Sequence, residues 1–338
     1  MPPLDPTAVG PVLHESALAS GLSGVVRVDR GDETLFSHAY GLADRAHGVA
    51  ATTDHRFGVA SVAKGFTALA VGALLDEGRL RLDDPVRPLL GDDLPLVDHR
   101  VTWDHLVSHT SGIGDYLDES DDGDITDHVL PVPVHLLDDA EAFLPVLDGR
   151  EQVSEPGAEF AYNNSGFVVL ALLLQRLTGT EFTELVRQRV LEPAGMTATG
   201  YPRGDELPGD VARGYLHETG LRTNVLHLPV RGSGDGGLVT TAGDLARFWR
   251  ALFAHRVVSA GTLATLVEPL HEAEEDRRYG RGFWLGGDSD DVELEGYDAG
   301  VSALTRHSPG TGVTVTVVAN TSDGAWPVLR ALRDAEDA

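Results

Sequence analysis

A chain of 338 residues is long enough for one large or two ordinary domains, and at 42% hydrophobic it can bury a substantial core. It contains no cysteine, which excludes disulfides, thiolate metal sites and a cysteine nucleophile. A net charge of −27 argues against nucleic acid and against an anionic membrane as partners.

The opening residues, Met1-Pro2-Pro3-Leu4-Asp5-Pro6, carry neither the basic nor the apolar region of a secretory leader. The longest apolar run, residues 167–174, is far short of the ~20 residues a membrane span needs. A soluble protein of the cytoplasm is expected.

Residues 5–20 read as a short helix. Residues 24–29 and 34–40 read as the arms of a β-hairpin, by alternation and by the turn residues between them. A helix begins at Ser61 and ends near Gly78. Thr102 caps a short helix that ends at Ser108. Residues 118–139, rich in Asp and broken by Pro131 and Pro133, read as an exposed loop with a little helix. Residues 165–177 form a helix buried nearly all round, and 181–191 an amphipathic one. After 275 the period returns to two, with strands expected at 281–285, 292–295, 301–307 and 313–319 and a closing helix at 323–334. Strands at both ends with helices between predict one catalytic module. Its sheet part is residues 1–60 plus 275–338, and its mostly helical part is 61–274.

Two patterns look functional and are set aside. Residues 232–237 match G-x-G-x-x-G, but no strand leads in and no helix opens on the glycines, as a dinucleotide site requires. His105 and His109 have metal spacing but no third ligand nearby, so no metal is expected.

The chemistry gathers at Ser61-Val62-Ala63-Lys64. Lys64 is the only lysine; the other 25 of the 26 basic residues are arginine. An amine can give up its proton where a guanidinium cannot. On a helix, i and i+3 share a face, so the amine reaches the hydroxyl. In the first turn the macrodipole opposes its positive charge. Ser61 is therefore a candidate nucleophile with Lys64 as its base. Tyr162-Asn163-Asn164 supplies a phenol for proton traffic and an amide for a carbonyl. A strand beside the serine would add a backbone N–H to that of Ser61 as an oxyanion hole.

Several segments together resemble the serine β-lactamase and penicillin-binding-protein superfamily, in its class C-like branch. Phe57-Gly58-Val59-Ala60-Ser61-Val62-Ala63-Lys64 resembles the nucleophile motif, Ser108-His109-Thr110-Ser111-Gly112 the structural turn, and Tyr162-Asn163-Asn164 the Y-x-N motif. Gly236-Gly237-Leu238 with Thr241-Ala242-Gly243-Asp244-Leu245 resembles the head of a late helix. The resemblance spans roughly residues 20–320. It implies an α+β fold, an antiparallel sheet of about five strands flanked by N- and C-terminal helices with a large helical subdomain inserted. It also implies that Ser61 is acylated, that Lys64 and Tyr162 share the general-base work in either order, and that Asn164 touches the substrate carbonyl.

The third motif departs from the pattern. Relatives carry Lys-Thr-Gly or His-x-Gly beside the serine; here the stretch read against it is Tyr297-Asp298-Ala299-Gly300. Gly300 N–H would complete the oxyanion hole, and one of Tyr297 and Asp298 would face the cleft. The cation that holds a substrate carboxylate is missing, with Arg306 the one candidate replacement. The expected activity is therefore a serine hydrolase acting through an acyl-enzyme on small esters or amides, without a cofactor. A D-amino-acid peptidase or amidase is the alternative, followed by β-lactamase or D-Ala-D-Ala carboxypeptidase. A catalytically silent homologue that binds a ligand through the same cleft stands outside the enzymes.

Overall fold

The computed structural model describes residues 6–117, 123–274 and 277–336. Its framework is an antiparallel sheet built from the two ends of the chain. The strands are β1 (Gly24–Arg30), β2 (Glu33–Tyr40), β3 (His271–Glu274), β4 (Arg277–Tyr279), β5 (Trp284–Gly286), β6 (Val292–Asp298), β7 (Val301–Ser308) and β8 (Val313–Ala319). Their order is β2-β1-β8-β7-β6-β5-β4-β3. The sheet has eight strands where about five were expected. Six of the eight match stretches expected as strands; the remaining pair, β3 and β4, has the sequence of a charged loop, with Glu272 opposite Arg278 and His271 opposite Tyr279. β3 begins inside the stretch assigned from sequence to the helical part. Part of the expected loop over 118–139 lies outside the described residues. Its described remainder holds two short 3₁₀ turns, Ile125–Asp127 and Val134–Leu136.

The two faces of the sheet carry separate cores. On one, Val26, Val28, Leu304, Val315 and Val317 pack against the terminal helices α1 (Pro6–Ser20) and α6 (Trp326–Glu336). The other face, with Val25, Val292, Leu294, Ala303 and Val318, packs on the helical part. That part contains α2 (Ala63–Asp76), α3 (Trp103–Val107), α4 (Asn164–Thr178) and α5 (Ala242–Phe253).

Buried apolar surface rather than amphipathicity makes α2 and α4. Every residue from Ala63 to Leu74 of α2 is buried, as is every residue from Asn164 to Leu174 of α4. Asn163 caps α4, its Oδ1 accepting from Gly166 N–H at 2.7 Å, and Gly179 ends it in the left-handed conformation. Gly65 lets β6 press against α2, because a Cβ there would lie 2.6 Å from the Leu294 side chain. Among the described residues no helix is long and apolar enough to cross a membrane.

Candidate functional site

Ser61 sits on a 3₁₀ turn, Ala60–Val62, that runs directly into α2. The turn is pinned on its N-terminal side. Phe57 and Gly58 pair with Thr240 and Val239, and Val59 N–H donates to Leu238 O at 3.1 Å. Ala60 holds φ at 44°, a left-handed conformation costly for a residue with a Cβ. Strain of that kind persists only where the surroundings impose it, and here it falls beside the serine.

Lys64 is 1% exposed. Its Nζ lies 2.8 Å from Ser61 Oγ, 2.7 Å from Asn164 Oδ1 and 3.1 Å from the backbone oxygen of Asp235. The Tyr162 ring is the next wall, its centroid 4.9 Å from the amine. Residues 64, 61, 162 and 164 thus converge.

Asn164 reaches the amine because α4 starts there. Asp115 accepts from Asn164 N–H and Ser165 N–H at 2.7 and 2.8 Å, and Asn164 Nδ2 donates to Leu117 O at 2.9 Å. The Asn164 side chain is thus tied to Lys64 and to a loop.

His109 organises the ring of aromatics behind Tyr162. Its Nδ1 accepts from Asn163 N–H at 3.0 Å, which leaves Nε2–H to donate to the Tyr279 hydroxyl at 3.1 Å. Burial, reinforced by Lys64, holds the imidazole well below its ordinary pKa, so it stays neutral. Tyr162 lies 4.4 Å from the His109 ring and is stacked at 6.0 Å on Trp284, over which the Arg277 guanidinium sits at 4.4 Å. His105 does other work: it completes a capping box with Thr102 at the head of α3. Among the described residues no group of His, Asp or Glu has metal-binding geometry.

The strand beside the serine is β6, and the residue that touches the turn is Gly296. A Cβ there would fall 3.0 Å from Ser61 N and would overlap Val59 O. Gly300 does not occupy that place. It lies in the β6–β7 turn at φ 72°, and its N–H donates to Ser322 Oγ at 2.8 Å. Lys/His-x-Gly therefore falls on Leu294-Glu295-Gly296. Leu294, two residues before Gly296, is 2% exposed in the core.

The backbone direction of β6 is set at both ends. Gly286 N–H donates to Asp291 O, and Asp298 pairs with Val301 across a two-residue turn. By alternation the even-numbered residues of β6 bond to β7, and the odd-numbered ones turn their N–H and C=O to the opposite edge. On that edge β5 covers only Val292 and Glu293. Side chains alternate too. Leu294 and Asp298 look toward the helical part, whereas Tyr297 lies tilted against Trp326 behind the sheet, with ring centroids 6.2 Å apart. Asp298 is the one that lines the cleft. Arg306 does not replace the cation: it pairs with Asp291 and Glu336 behind the sheet.

A pocket opens beside Val59 and Ala60. Its walls include Pro202, Leu207, Val211, Leu228 and Val301, and it is polar at Asp298, Asp235 and Tyr116. Asp235 and Tyr116 drew no attention as sequence. The Tyr116 hydroxyl donates to the Asp235 carboxylate, and burial pushes the Asp235 carboxyl up. Asp235 lies within the glycine pattern 232–237, whose glycines serve close packing. A Cβ on Gly232 would overlap Gly237, and one on Gly234 would overlap Phe167 O.

Known proteins resemble this chain in sequence and in fold. The Beta-lactamase family model matches residues 15–338. Penicillin-binding protein 4 of Amycolatopsis lactamdurans is 30% identical over 311 residues, 86% of this chain and 78% of that one. Esterase EstB of Burkholderia gladioli is 34% identical over 59% of this chain and 55% of its own. The chain spans just over half, 56%, of penicillin-binding protein 4* of Bacillus subtilis, at 27% identity over 73% of this chain. Among solved structures, a penicillin binding protein from Bacillus halodurans superposes with a TM-score of 0.89 at 35% identity, covering 95% of this chain and 99% of the other. Fold, strand order and the Ser61–Lys64 turn lead to one assignment: the chain belongs to the Beta-lactamase family, within the serine β-lactamase and penicillin-binding-protein superfamily of hydrolases.

Proposed function

We propose that the protein is a serine hydrolase that acylates and deacylates Ser61 on small esters or amides. The observation that carries this is the 2.8 Å contact between Ser61 Oγ and the buried Lys64 amine, which also meets Asn164 Oδ1 and the Asp235 backbone oxygen. An uncharged amine suits the geometry. Two N–H groups donate to Asn164 Oδ1 and Asp235 O, and the lone pair accepts from the Ser61 hydroxyl. Ser61 Oγ then attacks the carbonyl carbon as its proton passes to the Lys64 amine, directly or through Tyr162, whose own phenol proton then moves on to that amine. The oxyanion is held by Ser61 N–H and by Tyr297 N–H, which alternation turns to the edge of β6 away from β7. Collapse expels the alcohol or amine, which takes the proton. Water, deprotonated by the same groups, releases the acid.

The test is labelling with a fluorophosphonate followed by peptide mass analysis, alongside turnover of p-nitrophenyl acetate. An adduct on Ser61, and turnover lost in Lys64→Arg, support the proposal. An unlabelled serine, or full turnover in the variant, refutes it.

A second reading, hydrolysis of D-amino-acid amides, is favoured by Asp298 in the cleft. An ammonium in that pocket meets the Asp298 carboxylate, while Arg213, also in the pocket wall, is paired with Asp44. The structure superposes at TM-score 0.78 on a D-amino acid amidase from Ochrobactrum anthropi, a likeness of fold at 23% identity. A charge-assisted hydrogen bond is worth about 1.5–3 kcal/mol. Asp298→Asn should thus lower kcat/KM for D-alanyl p-nitroanilide by roughly 10- to 100-fold and spare p-nitrophenyl acetate. Equal effects on both substrates exclude this reading.

A further inference from the structure

We propose that Asp235 is a positioning residue that sets the charge of Lys64, with Tyr116 holding its carboxyl in place. The inference rests on Lys64 acting as the base for Ser61. The geometry is a closed ring of bonds around the amine. Lys64 Nζ donates to Asn164 Oδ1, and Asn164 N–H donates to Asp115 Oδ2 at 2.7 Å. The next residue, Tyr116, is fixed by its own N–H on Ser165 Oγ at 2.9 Å, and its hydroxyl donates to the Asp235 carboxylate. The ring closes where the Asp235 backbone oxygen meets Lys64 Nζ at 3.1 Å. Both acid and amine are buried, Asp235 at 8% exposure and Lys64 at 1%.

This arrangement couples two protons. A carboxylate near an ammonium in a dry site stabilises the charged amine, and a neutral carboxyl removes that stabilisation. Burial pushes the Asp235 carboxyl up while Lys64 opposes it. The base is therefore freed more readily when Asp235 carries its proton. Other titratable groups flank the pair, among them Arg213, which shares the pocket wall with Asp235 and pairs with Asp44. On the Lys64 side stand Tyr162 and His109, the latter held neutral by burial. On the Asp235 side stand Tyr116 and Tyr201, both kept protonated by burial, together with Asp115 and Asp298. Asp115 is committed to the N–H groups at the head of α4.

The experiment measures the rate of fluorophosphonate labelling of Ser61 against pH in the intact chain. The wild type should show an acid limb where the amine loses its proton. Asp235→Asn keeps an acceptor for the Tyr116 hydroxyl but removes the charge, so the limb should move down by about one pH unit or more. Tyr116→Phe takes away the donor that favours the carboxylate, and should move the limb the same way by less. An acid limb unmoved in both variants, or moved upward, overturns the role of Asp235. A wild type that is not labelled refutes instead the reading of Ser61 and Lys64. Should Asp235→Asn fail to fold, the Tyr116→Phe midpoint decides alone: a downward shift supports the role and an unmoved one overturns it. A merely structural Asp235 would alter the melting temperature and leave the midpoint in place.

Discussion

Gly296→Ala is the sharpest probe of how β6 meets the nucleophile. The added methyl would stand 3.0 Å from Ser61 N and inside the van der Waals envelope of Val59 O. Both neighbours are backbone, so neither can rotate away. Restoring ordinary contact requires β6 to move by about 1 Å from the Ser61 turn, and a misplacement of that size costs roughly 10²-fold in rate. Overpacking adds about 1–3 kcal/mol of destabilisation. Gly300→Ala is the control. It too is destabilised, because φ there is 72° and its Cβ would lie 2.8 Å from Tyr215 N. It sits at the turn and not on the serine, so its kcat/KM should stay within a few-fold of wild type. The assay is p-nitrophenyl acetate turnover paired with urea denaturation, each variant measured well below its unfolding midpoint. Wild-type kcat/KM in Gly296→Ala, or an equal loss in Gly300→Ala, would refute the placement of the oxyanion hole.

Further predictions follow from the same geometry. Tyr162→Phe keeps the ring stacked on Trp284 but removes the hydroxyl, so kcat should fall by roughly 10²-fold or more with little change in melting temperature. Arg281 is 8% exposed and joins Asp104 of α3 and Glu268. Arg281→Met should cost about 2 kcal/mol in urea denaturation, since it strands a half-buried carboxylate. His307, buried against Trp249, has its pKa lowered to about 4. The unfolded chain takes up that proton near pH 6.5 and the folded one does not, so its contribution to stability is lost as pH falls. Between those values the loss approaches about 3 kcal/mol, and His307→Gln should flatten the stability profile by that amount.

What was legible in the sequence follows from burial and chemistry. The helices at Ser61 and Asn164 announced themselves because nearly every residue in their first ten is buried. The Ser61–Lys64 pair stood out because helical spacing alone sets its reach. The third motif was misplaced for an identifiable reason. Gly296 and Gly300 lie four residues apart on one hairpin, and with Leu294 rather than a cation two residues before Gly296, no side chain marks the register. Only the approach of Gly296 to Ser61 N distinguishes them. β3 and β4 were missed because their cross-strand partners are charged, as in Glu272 opposite Arg278. Asp235 and Tyr116, 119 positions apart, become partners only through the folding of two loops over the head of α4.

The solitary lysine has a last consequence, away from the reaction itself. With its ε-amine sealed beneath the nucleophile, no side chain on the outside presents a primary amine. Guanidinium groups, fully protonated, are poor nucleophiles toward activated acyl groups. On the proposed chemistry, an acyl ester at Ser61 finds no surface lysine of its own chain to acylate. Amine-directed reagents such as N-hydroxysuccinimide esters will find no lysine on the folded surface until unfolding exposes this one.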